Sequence, residues 1–88
     1  MTSGTILKAL REKAGYSQEQ VAMLLGVSPV SIQNWESGKP MRYPKLLKDL
    51  LDMYDADDDD RIRVVILMYG SDRDREYLRN NKEIGGAI

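Results

Sequence analysis

The 88-residue chain contains no cysteine and no histidine. Their absence excludes disulfides, the common zinc-finger ligand sets, and catalysis by a thiol or an imidazole. No apolar run approaches the roughly 20 residues needed to span a bilayer, and no basic-then-apolar signal peptide opens the chain. There is no internal repeat and no Gly-rich run of the kind that cradles a phosphate. An enzyme would be left with Asp, Glu, Lys, Ser and Tyr, and the carboxylates gather in one surface-type acidic stretch, so no catalytic residue and no cofactor is assigned. Excess charge is missing too, since the net charge is only −1.

What is present fits one small globular domain, with 42% hydrophobic and 31% charged residues. The near-zero net charge conceals an asymmetry. Residues 1–48 carry seven basic and three acidic side chains, a balance of +4. Residues 49–88 carry six basic and eleven acidic ones, a balance of −5. A basic half followed by an acidic half fits a nucleic-acid-facing side and a solvent- or partner-facing side.

The most informative stretch is Ser17 to Gly38, SQEQVAMLLGVSPVSIQNWESG. Ser17 and Gln20 make a capping box, and Val21, Leu24 and Leu25 share one helical face behind it, with the small Ala22 where a second helix crosses. Gly26 suits the left-handed residue after a helix, and Val27 is placed to plug the turn. Ser28 caps the next helix and Pro29 occupies its first position. Ile32 and Trp35 point inward, which leaves Val30, Ser31, Gln33 and Asn34 outward. A short outer face of amides and hydroxyls, without charge, suits the reading of base edges. Asn34 can pair bidentately with adenine, and Gln33 can do the same or reach a phosphate. Ser31 can donate to a base or a phosphate, while Pro29 and Val30 offer apolar surface to a thymine methyl group. Lys39, Arg42 and Lys45 follow the reading helix and, with Ser28 at its start, are assigned to backbone phosphates.

Gln18, Ala22, Gly26, Ile32, Trp35 and Glu36 match, in order and spacing, the helix-turn-helix pattern of the phage lambda repressor/Cro-like (XRE-type) family. The string LGVSPVSIQNWESGK resembles that family's turn, recognition helix and exit loop, and the resemblance runs from about Ile6 to Tyr54. It implies an all-α, compact four- to five-helix bundle and a sequence-specific transcription regulator, a repressor, bound to double-stranded DNA. It implies that Gln18 bonds a phosphate and braces the recognition helix, and that Arg11 and Glu36 form a partly buried ion pair between the first and third helices. The family often has a polar residue where this chain has Val30, which leaves base preference at that step to apolar contact.

Elsewhere the first helix runs from Thr2 or Ser3 to Gly15, with Ile6, Leu7, Leu10 and Ala14 inward. Ser37-Gly38-Lys39-Pro40 stops the third helix, and Pro44 starts a fourth that presents Leu46, Leu47, Leu50, Leu51 and Tyr54. The expected centre is Leu7, Leu10, Val21, Leu25, Ile32, Trp35, Leu47 and Leu50. Asp55 to Asp60 opens like a calcium loop but lacks the Gly at its sixth place and has Ile66 where a bidentate Glu belongs, so no metal is assigned. These aspartates suit a helix N-terminus instead. The segment that follows fits a strand by its β-branched run, and a helix by its acidic start and Gly70 stop; we read a helix. Its apolar surface exceeds one stripe, so Tyr43 with Ile62, Val65, Ile66 and Tyr69 is the candidate interface of a homodimer assembled on DNA. Residues 1–55 form the expected DNA-binding domain, 56–80 an acidic helical extension, and 81–88 a flexible tail. A last short helix is expected from Asp72 to Asn80, docked by Tyr77 and Leu78. A second reading keeps the fold and makes the chain an antitoxin that binds a toxin protein through its acidic half while regulating its own promoter. Either role places it in a prokaryotic cytoplasm, at the nucleoid or encoded by a phage.

Overall fold

The computed structural model describes residues 2–74 and 76. Five helices follow one another: α1 (Ser3–Ala14), α2 (Gln18–Leu25), α3 (Pro29–Glu36), α4 (Pro44–Met53) and α5 (Asp58–Tyr69). No strand occurs among the described residues, and the all-α expectation holds. None of their helices is long and apolar enough to cross a membrane.

Local chemistry sets the boundaries. Thr2 caps α1 by accepting from the Thr5 N–H at 3.2 Å. The Ser17 hydroxyl accepts from the Gln20 N–H at 3.1 Å, and the Gln20 side chain accepts from the Ser17 N–H at 2.8 Å, closing the capping box of α2. Gly26 ends that helix at φ 78°, a left-handed conformation that costs little only without a Cβ. Pro40 and Pro44 bracket the exit loop, and Pro44 restarts the chain at the first position of α4. Asp57 caps α5, and Asp58, Asp59 and Asp60 fill its first turn, where the helix dipole favours negative charge. Residues 72–74 and 76 are helical, with Ser71 and Asp74 bonded reciprocally at the start. Tyr77, Leu78 and the 81–88 tail lie outside the described residues.

α1 packs on α3 and α5, while α2 packs on α3 and α4. Each helix contributes one essentially solvent-free side chain to the centre: Leu7, Val21, Ile32, Leu50 and Val64. Burying such a side chain is worth about 1.5–3 kcal/mol. Of the expected centre, Leu10 and Leu47 are also buried, whereas Leu25 and Trp35 are partly exposed and pack against its edge.

Two expectations need correction. Leu24 is 58% exposed, and Ala22 is buried beside Val21 in its place. Ala14 is exposed in the last turn of α1. On α5, Val64 and Met68 are buried and Leu67 packs against the core, while Ile62, Val65 and Tyr69 are exposed. Ala56, Val64 and Met68 share one hydrophobic cluster with the first four helices.

Candidate nucleic-acid interface

Helix α3 is held from behind by a buried polar cluster. Arg11 on α1 donates through Nε to Glu36 Oε2 at 2.7 Å and through Nη2 to Glu36 Oε1 at 3.1 Å. Gln18 at the start of α2 donates through Nε2 to the same Glu36 Oε1 at 3.1 Å. Arg11 Nη1 donates to the Tyr16 carbonyl at 2.8 Å. The Arg11 and Glu36 side chains are only 10% and 6% exposed. One carboxylate at the last position of α3 therefore ties together three helices. Hydrogen bonding to Glu36 raises the Arg11 guanidinium above its ordinary pKa and outweighs the opposite pull of burial. Beside the pair, the Tyr54 hydroxyl is buried with no hydrogen-bond partner among the described residues, and burial followed by the Glu36 charge pushes its ionisation well above the usual tyrosine range.

A backbone contact fixes the same corner. The first turn of α1 lies on the exit of α3 so closely that a Cβ at Gly4 would overlap the Glu36 carbonyl and sit 2.8 Å from the Gly38 nitrogen. Gly4 was not foreseen in the sequence, since nothing local distinguishes it from any glycine early in a helix.

The opposite face of α3 is free. Pro29, Val30 and Gln33 are exposed, Val30 by 59%, and Ser31 and Asn34 are partly exposed. Ser28 Oγ accepts from the Ser31 N–H at 3.3 Å, and the two hydroxyls lie 3.3 Å apart, so both side chains are engaged within the first turn. Beyond the helix the chain folds back, with the Lys39 N–H bonded to the Asn34 carbonyl at 3.0 Å. This return brings Lys39, Arg42 and Tyr43 to one groove with Ser31, Asn34, Trp35, Met41 and Leu46, enclosing about 600 Å³. No carboxylate among the described residues lines it. Lys45 is exposed on the first turn of α4.

The loop is tied to α5. Met41 is buried, its N–H faces the Met68 sulfur at 3.4 Å, and its carbonyl accepts from the Tyr69 hydroxyl at 2.7 Å. Tyr43, Ile62, Val65 and Tyr69 are all exposed and Ile66 partly so. Among the described residues, no group of acidic side chains is arranged to hold a metal ion.

Residues 4–64 match the family model described as a helix-turn-helix domain. A 37-residue segment is 51% identical to part of a protein from Thermococcus kodakarensis named as an HTH-type transcriptional regulatory protein. That segment covers 42% of this chain and 12% of the relative, so the chain spans a small fraction of that protein's length. No solved structure matches.

Proposed function

Because the chain belongs to the helix-turn-helix domain family, we propose that it is a sequence-specific DNA-binding transcription regulator, acting as a repressor. The observation that carries this reading is the asymmetry of α3: its inner side is locked by Ile32 and Glu36, while its outer side presents uncharged groups beside a carboxylate-free basic loop. In this role α3 enters the major groove, Asn34 pairs bidentately with an adenine, and Gln33 and Ser31 contact neighbouring bases or phosphates. Lys39, Arg42 and Lys45 supply backbone affinity without reading sequence. Gln18, bonded to Glu36, braces the helix and keeps its remaining oxygen and N–H for a water or phosphate near the DNA strand. Ser28 contributes chiefly as a cap, its hydroxyl being engaged with Ser31.

One such helix covers only a few base pairs, so the operator is bound by two copies whose reading helices lie about 34–36 Å apart. The exposed Tyr43, Ile62, Val65 and Tyr69, with Ile66, are the surface assigned to that pairing. The chain's role is binding rather than catalysis, in a prokaryotic cytoplasm.

Selection of bound sequences from a random DNA pool tests the reading. A palindromic consensus is expected. On it, Asn34→Ala costs about 1–3 kcal/mol of specific binding. Lys39→Ala and Arg42→Ala weaken binding to all sequences and each lower the salt slope by about one. Recovery of no preferred sequence, or equal losses for Asn34→Ala on operator and random DNA, overturns it.

A further inference from the structure

We propose that the first turn of α3 reads C5-methyl groups of pyrimidines, so that operator binding depends on a thymine methyl and responds to cytosine methylation at the same step. The inference rests on the DNA-reading role above and on what this turn has left to offer. Pro29 brings no N–H. The Ser28 and Ser31 hydroxyls lie against each other, and Ser28 also accepts from the Ser31 N–H. Val30 stands 59% exposed between them, its two methyl groups uncommitted to the core. A base edge facing Val30 finds apolar surface, and the one apolar feature of the major groove is the methyl group at pyrimidine C5. An isopropyl group distinguishes a methyl from a hydrogen. It does not distinguish the O4 acceptor of thymine from the amino donor of cytosine. Thymine and 5-methylcytosine are then accepted alike, and uracil and cytosine are both disfavoured.

The test uses the full chain and the sequence selected from the random pool. Each thymine is replaced singly by uracil, and the Val30 step also by cytosine and 5-methylcytosine opposite guanine, with binding read by fluorescence anisotropy. At one step per half-site, uracil is expected to weaken binding about three- to fivefold, the worth of one buried methyl. 5-Methylcytosine is expected to exceed cytosine by a similar factor. Both differences shrink in Val30→Ala, an exposed substitution that leaves the fold intact. Uracil tolerated at every step, or an undiminished penalty in Val30→Ala, overturns the methyl-reading inference alone. A pool that yields no preferred sequence overturns the DNA-reading role and this inference with it.

Discussion

Removing the Glu36 carboxylate is the sharpest perturbation the structure offers. Glu36→Ala deletes three hydrogen bonds at once, two from Arg11 and one from Gln18. It leaves a guanidinium in a pocket where its side chain is only 10% exposed, with the Tyr16 carbonyl as its remaining partner. Stranding one member of a buried pair costs about 3–5 kcal/mol, whereas an exposed pair such as Lys48–Asp52 contributes little. A domain of this length has about 4–13 kcal/mol of stability in total. In a domain of 60–100 residues each kcal/mol moves the melting temperature by about 4–8 °C, so a drop of more than about 12 °C is expected. Urea unfolding followed by the fluorescence of the lone Trp35 gives the free energy, and circular dichroism the melting temperature. Arg11→Met with Glu36→Leu should recover most of the loss, because the desolvation of both charges is removed together. A Glu36→Ala protein that melts with the wild type would refute the argument, as would a double variant no more stable than the single one.

Tyr54→Phe removes a buried hydroxyl that has no partner among the described residues, and should leave stability unchanged or raise it; a loss above about 1 kcal/mol would show that the hydroxyl is bonded. Asp60 is raised above the ordinary carboxylate range by burial and by its neighbours Asp57 and Asp59, so its stabilising protonated state is lost as pH rises through the folded-state value. Asp60→Asn should therefore raise the melting temperature at pH 7, with the gain fading in acid; an equal gain at pH 3 would contradict the assignment. Asp52 is lowered by its bonds to Lys48 and Arg61, and its contribution runs oppositely, present above the carboxylate range and lost as pH falls. Val65→Asp on the outer stripe of α5 should weaken operator binding while the protein melts normally, and sedimentation of a saturated complex with one chain per operator would dismiss the pairing surface.

Much of this was legible before the fold. The helix ends follow from Ser17, Gly26, Ser28, Pro29 and Asp57, whose effects are confined to a few neighbouring residues. The outward face of α3 was readable because Ile32 and Trp35 fix the phase of an otherwise polar helix. Phase was the weak point wherever apolar residues surround the axis. α5 has them on both sides, and packing against α1 and the Met41 loop settles that Val64 goes in and Val65 out. Met41 and Gly4 were invisible for a related reason. One is buried from a loop and the other matters through a single close approach, and neither belongs to a repeating pattern.

The two sides of α3 also have a consequence for how such a chain can change over generations. Ile32 and Glu36 carry the packing and the ion pair, while the Val30 and Gln33 side chains are exposed outside the hydrophobic core. Exposed substitutions of this kind usually alter stability by less than about 0.5 kcal/mol. On the proposed reading, target preference and foldability are encoded on separate residues of one eight-residue helix. A duplicated copy can drift toward a new DNA target by changing those exposed positions, without passing through an unfolded intermediate. The same separation makes them the place to randomise when a different target is wanted.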